Sequence, residues 1–248
     1  MDKVLLITGG SRGIGAATAL LAAQQGWAVA INYSANSQAA DEVARQIRAG
    51  GGKAMTVQAD VADEAQVLAM FEKVDAQLGR LTGLVNSAGV VDVAARVDQM
   101  NLARFRRMFD INVIGTLLCA REAVRRMSTH HGGNGGAIVN LSSVASSLGS
   151  PGQYVDYAAS KGAVDSFTIG LGREVASEGI RVNAVRPGII DTEIHASGGQ
   201  PGRAQQVGPS LPMKRPGTAE EVARAIVWLL SEEASYCTST LLDVTGGR

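Results

Sequence analysis

Residues 4–15 read VLLITGGSRGIG: an apolar run, a turn crowded with glycine, and the start of a segment of small and apolar residues. Val4 to Thr8 is predicted as a buried strand, and Ala16 to Gln25 has helix-forming composition that stops at Gly26. Strand, glycine turn and helix in that order form the opening of a βαβ unit. Gly9, Gly13 and Gly15 fit a loop in which the backbone approaches a phosphate closely and the following helix packs tightly on the sheet, with its first N–H groups facing the anion. The spacing is TGxxxGxG from Thr8 to Gly15 rather than the GxGxxG of many dinucleotide-binding proteins. A merely tight turn would also use these glycines, so the rest of the chain has to decide.

The pattern then repeats. Ala28 to Tyr33 reads as a second strand, with a polar helix start at Asn36 and Ser37 and helical composition to Ala49. Ala54 to Gln58 reads as a third strand, followed by Asp60, Val61 and a helix from Glu64 to Leu78. Leu84 to Asn86 is a fourth strand, ending in NSAG. Asp60 fits either a cap for the next helix or a binding residue at a strand's carboxyl end. From Leu102 to Met127 apolar residues recur at helical spacing and predict one long helix, with Asn112, a poor helix former, in its middle. Further strands are expected at Ala137 to Leu141, Arg181 to Val185 and Thr240 to Val244, with a helix at Ala219 to Leu230. A long polar loop covers Asp191 to about Gly217. Such alternation predicts an α/β fold: a single-domain Rossmann arrangement, a doubly wound seven-stranded parallel sheet with helices on both faces and a ligand at the switch point.

Composition narrows the function classes. The chain has 248 residues, with 23 Lys plus Arg against 23 Asp plus Glu, so no basic field recommends nucleic acid. Cys119 and Cys237 are its only cysteines, which argues against a disulfide framework or a zinc site. The first apolar run is too short for a signal peptide, and no uncharged stretch approaches the ~18 residues of a membrane span. A cytoplasmic protein that needs no metal is expected.

Chemistry enters at Tyr157 to Lys161, YAASK, where a phenol and an ammonium stand four residues apart and share a helical face. A cation held near a phenol favours the phenolate and draws its pKa of about 10 toward neutrality, which makes Tyr157 a candidate acid or base. Tyr154 is the rival, but four positions on stands Ala158, which offers no cation. Ser142 and Ser143 are adjacent at the end of a strand and must point to opposite sides, so only one can face the site.

TGGSRGIG, the NSAG at Asn86 to Gly89, Asn112 within a long helix, Ser143, YAASK, and Pro187-Gly188 followed by Thr192 stand in an order that resembles the short-chain dehydrogenase/reductase family, glucose 1-dehydrogenases and 3-oxoacyl-acyl carrier protein reductases among its members. The resemblance covers essentially the whole chain. It implies that Tyr157 is the catalytic acid or base, that Lys161 lowers its pKa and holds the nicotinamide ribose, that Ser143 hydrogen-bonds the substrate oxygen, and that Asn112 supports a water relay. It also implies a cofactor site built from Gly9, Ser11, Arg12, Gly13, Ile14, Asn32, Tyr33, Ser34, Asp60, Val61, Asn86, Ala88, Gly89, Pro187, Gly188, Ile190 and Thr192, together with Tyr157 and Lys161. Family members are commonly tetramers, and a homotetramer is the expected assembly. Departures from the family pattern are Ser87, where a second Asn is usual, and Ser239, where glycine is common. The sequence names no particular substrate. His195, in the loop that would cover it, reads as an exposed loop histidine. A nucleotide-sensing or scaffold protein of the same fold is the alternative to an enzyme, and the intact Asn112, Ser143, Tyr157 and Lys161 favour the enzyme.

The cofactor follows from the end of the second strand. A carboxylate there would bind the ribose hydroxyls of NAD and repel the extra phosphate of NADP. Asn32, Tyr33 and Ser34 are neutral, and Arg12 supplies a cation suited to a phosphate monoester. NADP is therefore expected to be preferred, with NAD possible.

Overall fold

The computed structural model describes residues 3–248; Met1 and Asp2, at the start of the sequence, lie outside the described residues. Seven parallel strands form the sheet: β1 Val4–Thr8, β2 Ala28–Tyr33, β3 Ala54–Gln58, β4 Gly83–Asn86, β5 Gly136–Leu141, β6 Ile180–Pro187 and β7 Leu241–Val244. Their spatial order is β3-β2-β1-β4-β5-β6-β7. The order reverses between β1 and β4, which pair with Thr8 opposite Asn86, and this opens a crevice at the strands' carboxyl ends.

Ten helices connect the strands among the described residues: α1 Gly13–Gln24, α2 Ser37–Ala49, α3 Glu64–Leu78, α4 Leu102–Phe109, α5 Gly115–Met127, α6 Ala145–Leu148, α7 Val155–Glu174, α8 Ile194–Ser197, α9 Arg203–Val207 and α10 Ala219–Leu230. Successive side chains of β1 point to opposite faces and so divide the core. Leu5 and Ile7 pack with α1, α2 and α10, whereas Val4 and Leu6 pack with α3, α5 and Val175 beyond the end of α7. Because both faces are covered, all five residues of β1 are buried.

The long helix predicted from Leu102 to Met127 is interrupted. A π-helical turn, Asp110–Ile114, joins α4 to α5 and contains Asn112. The wider turn brings the Asn112 amide to bear on other elements, and such turns are frequent at functional sites. The polar segment 191–217 differs from a plain loop, for it carries α8 and α9, which are too short for their periodicity to register in the sequence. Ser239 adopts φ +59°, the left-handed region that glycine would enter freely, and its hydroxyl donates to the Ile169 carbonyl at 3.2 Å. No helix among the described residues is long and apolar enough to cross a membrane.

Candidate active site

Two adjoining cavities open at the carboxyl ends of the strands. The first, about 270 Å³, is lined by Gly9, Ser11, Arg12, Gly13, Asn32, Tyr33, Ser34, Asp60, Val61 and Ala88, among others. The second, about 160 Å³, is lined by Ser142, Ser143, Tyr154, Tyr157, Lys161, Pro187, Gly188 and much of the segment 189–198. Ile14, Gly89, Leu141 and Thr192 belong to both, so the cavities meet at the switch point.

The first cavity fits a dinucleotide for local physical reasons. Helix α1 begins there with no side-chain cap and no acidic residue in its first turn, whereas Asn36, Asp63 and Thr218 cap α2, α3 and α10. Uncapped N–H groups at a helix start bind an anion readily. A Cβ at Gly15 would lie 2.4 Å from the Gly9 carbonyl oxygen, and Gly9 itself has φ +61°. The glycines of 4–15 are thus demanded by close backbone packing. Arg12 is exposed on this rim, and among the described residues no acidic side chain pairs with it.

Two of the expected cofactor residues turn inward. Asn32 is only 2% exposed; its Nδ2 donates to the carbonyls of Val57 and Ala59, and its Oδ1 accepts from the Gly9 amide at 3.2 Å. The side chain fastens β2 to β3 and to the glycine turn, so it is not a free donor for a ribose. Asn86 is likewise buried and lies outside the lining of either cavity: its Nδ2 donates to Asn140 Oδ1 at 2.9 Å, and Asn140 Nδ2 donates to Thr168 Oγ1 at 2.9 Å. Sequence reading missed that chain, although an Asn amid apolar neighbours in a central strand signals a buried partner. Asp60 does not cap α3, a task that falls to Asp63; Asp60 Oδ1 accepts from the Ala62 amide at 3.0 Å.

The second cavity gathers the reactive groups. Ser142 Oγ is engaged with the Lys161 carbonyl, whereas Ser143 stands beside the Tyr157 phenol. Lys161 is 5% exposed, and its Nζ donates to the Leu141 carbonyl at 2.6 Å. Asn112 lies behind them: its Oδ1 accepts from the Val90 amide at 2.8 Å, and its Nδ2 donates to the Val90 carbonyl and to Ser160 Oγ. Ser160 Oγ in turn donates to the Tyr157 carbonyl.

Electrostatics here correct one expectation. Burial raises the Tyr157 phenol above the ordinary tyrosine value, partly opposed by the Ser143 hydroxyl. Lys161 Nζ donates to the Leu141 carbonyl and stands 5.7 Å from the centre of the tyrosine ring, and burial outweighs its field. Burial also drives the Lys161 ammonium down to about 8, despite the field of Asp165. His195 departs from expectation as well. It is half-buried on the second cavity's wall, with Nε2 2.9 Å from the Ile190 carbonyl oxygen, so Nε2 carries the proton. Its pKa is lowered by burial, with Arg203 acting in the same direction. Tyr154, Arg203 and Arg248 complete the wall, and no sequence motif marked them for it.

Residues 9–248 match the family model described as enoyl-(acyl carrier protein) reductase. The chain is 58% identical over 245 residues to the uncharacterized oxidoreductase YgfF of Escherichia coli strain K12, covering 99% of each chain. It is 38% identical to glucose 1-dehydrogenase 2 of Bacillus subtilis strain 168, covering 99% of this chain and 94% of that one. A solved short-chain type dehydrogenase/reductase from Mycobacterium marinum superposes with a TM-score of 0.92 at 36% identity, covering 99% and 94% of the two chains. With its seven-stranded parallel sheet and its cleft at the switch point, the chain belongs to the short-chain dehydrogenase/reductase family of NAD(P)-dependent oxidoreductases acting on CH–OH groups.

Proposed function

We propose that this protein interconverts a carbonyl and an alcohol with NADP(H), using Tyr157 as the acid or base. The observation that carries the reading is the convergence of Ser143, Tyr157 and Lys161 on the wall of the second cavity, which meets the first at Gly89 and Leu141. A dinucleotide held along the first cavity, with its nicotinamide end at the junction with the second, would supply or accept the hydride. The remaining work falls to the chain. Negative charge grows on the substrate oxygen during reduction; Ser143 is placed to donate a hydrogen bond to it and Tyr157 to deliver the proton. A tyrosine of ordinary pKa about 10 already holds that proton at neutral pH, and burial raises it further. Lys161 and Asn112 flank Gly89 at 3.6 and 3.4 Å from where its Cβ would stand, so both fix the cavity junction. The first cavity would hold the cofactor through Gly9, Ser11, Gly13, Ile14, Val61, Ala88 and Gly89, with Arg12 and Ser34 toward the 2′-phosphate. Pro187, Gly188, Ile190 and Thr192 would close over the nicotinamide end.

The deciding test is Tyr157→Phe, which removes the proton donor but keeps the ring. Turnover of any accepted carbonyl should fall by at least 100-fold, about 2.7 kcal/mol of barrier, while cofactor binding by fluorescence titration persists. A loss of less than about tenfold would sink the assignment.

The same reading includes a homotetramer in the cytoplasm. Phe109 and Ile114 are exposed apolar residues along α4–α5, and Ala159 and Gly170 present a small-residue surface on α7 against which another helix could pack closely. Light scattering at micromolar concentration tests it, and a stable monomer would remove it.

A further inference from the structure

The chain as a whole is electrically balanced, but its second cavity is not. Lys161, His195, Arg203 and Arg248 line it, and among the described residues no Asp or Glu does. Of the nearest acidic residues on the same segment, Glu193 lines the other cavity and Asp191 is exposed. His195 is neutral at pH 7, but Lys161, Arg203 and Arg248 form a one-sided set of cations, which focuses a positive potential that a neutral substrate would leave uncompensated.

Arg203 is held in place without being neutralised. Its Nη1 donates to Gln200 Oε1 at 2.5 Å and its Nη2 to Gln153 Oε1 at 2.8 Å, both neutral amides. Its guanidinium also lies over the Tyr154 ring, 5.4 Å from the ring centre. Three of its five N–H donors remain. Arg248 reaches the same wall because the tail folds back on the 191–217 segment: Gly246 and Gly247 take φ +64° and +88°, and Pro212 and Met213 lie against them. Arg203 and Arg248 both line this cavity, Arg248 from its exposed rim. With no Asp or Glu among the described residues of the wall, these two guanidiniums leave room for an anionic group of the substrate. The rest of the wall is largely apolar, with Val144, Leu148, Tyr154 and Ile189.

We propose that the substrate is an oxo or hydroxy acid with an apolar body, its carboxylate held by Arg203 and Arg248 while its carbonyl or alcohol carbon meets Ser143 and Tyr157. This rests on the carbonyl–alcohol reading above and adds the far end of the substrate. A carboxylate suits the site better than a phosphate. A planar monoanion matches the donors left on a guanidinium fork, whereas a dianion in an apolar-walled cavity of about 160 Å³ loses more hydration. A sugar fits worse, since its neutral hydroxyls would leave the guanidinium charges without a counter-ion.

The test compares 2-, 3-, 4- and 5-oxohexanoate with their methyl esters, which share each carbon skeleton but carry no charge. At the best spacing the acid should exceed its ester by at least tenfold in kcat/KM, and the acid-to-ester ratio should collapse toward one in Arg203→Gln and again in Arg248→Gln. The ratio cancels any general loss of folding or rate, and Arg248 on the tail can be changed without touching α9. A second arm needs no turnover: hexanoate, methyl hexanoate and hexyl phosphate are titrated against the cofactor-saturated enzyme by thermal shift. Hexanoate should bind best in wild type and lose its advantage in the double Gln variant. Equal use of acid and ester, or tighter binding of the ester or of the phosphate, overturns the proposal. An enzyme that binds hexanoate through the two arginines yet turns over no carbonyl overturns the proposed reaction and leaves the anion site standing.

Discussion

Asn112 and Val90 are joined in both directions: the Asn112 Oδ1 accepts from the Val90 amide at 2.8 Å, and its Nδ2 donates to the Val90 carbonyl at 3.0 Å. The side chain thereby mimics a strand partner for the segment after β4, with the π-helical turn providing its reach. Asn112→Ala leaves the part-buried Val90 amide and carbonyl without these partners at about 1–2 kcal/mol each, so a total loss of about 2–4 kcal/mol is expected. Urea denaturation measures it, and kcat should fall in parallel as Gly89 loosens at the cavity junction. A stability change under about 0.5 kcal/mol would show that the clamp carries nothing.

Arg104 and Asp156 form a bidentate pair at 2.7 and 3.1 Å, with side chains only 10% and 1% exposed. The pair ties α4 to the first turn of α7, one residue before Tyr157. Breaking it with Arg104→Met strands a buried carboxylate and should cost about 3–5 kcal/mol. Replacing both partners, with Asp156→Leu added, should recover at least half of that, because two desolvated charges leave together. A double-mutant cycle by denaturation reads the coupling, and additive losses in the two single variants would refute it.

What the chain disclosed about itself depended on whether one residue type had one use. Gly15 was legible because any Cβ there meets the Gly9 carbonyl oxygen, so glycine alone fits at that spacing. The alternation of apolar runs and helical composition located all seven strands within about two residues at either end, and α10 without error. Amides are different. Asn32 and Asn112 are the same residue in sequence, yet one fastens strands to a turn while the other clamps a loop at the cavity junction, and only the direction of the side chain separates them. His195 misled for a related reason. Polar loop composition predicts exposure, whereas the folding of segment 191–217 into α8 and α9 tucks the ring against Ile190.

Lys161 should leave a signature in stability against pH. Its pKa falls from 10.5 in an open chain to about 8 in the fold. Below pH about 8 the lysine is charged in both states and the burial penalty is fully present. Between about 8 and 10.5 the unfolded chain still holds the proton that the folded one has released, so unfolding free energy rises with pH, by at most about 1.4 kcal/mol per unit. Above the upper value the contribution is flat. Lys161→Met should be more stable than wild type at pH 7, lose this rising limb, and be inactive. Denaturation of both proteins from pH ~7 to ~10 checks the difference, and parallel curves would mean the ammonium is not penalised.

Cofactor preference can be tested at three positions with different surroundings in the fold. From sequence, Asn32→Asp is the direct route toward NAD, because a carboxylate at the end of β2 would favour ribose hydroxyls. In the fold it would set carboxylate oxygens against the Val57 and Ala59 carbonyls that Nδ2 now serves, with only the Gly9 amide left to satisfy them. Asn32→Asp should therefore lose about 2–4 kcal/mol of stability and weaken both cofactors rather than exchange one for the other. Ser34 is exposed on the cavity rim, with its carbonyl engaged by Gln58 Nε2. Ser34→Asp should depress kcat/KM for NADP by at least tenfold while changing that for NAD little, since a new carboxylate there repels a phosphate without disturbing the sheet. Arg12 has no acidic partner among the described residues, and its position at the start of α1 is unfavourable for a cation unless an anion is bound. Arg12→Ala should weaken NADP by about one to two orders of magnitude and NAD by much less, the loss of a charge-assisted phosphate contact. Steady-state kinetics with both cofactors on all three variants separates the contributions. Wild-type efficiency with NAD equal to or better than that with NADP would reject the preference, and a stable, NAD-selective Asn32→Asp would show that its amide is not the fastener between β2, β3 and the glycine turn.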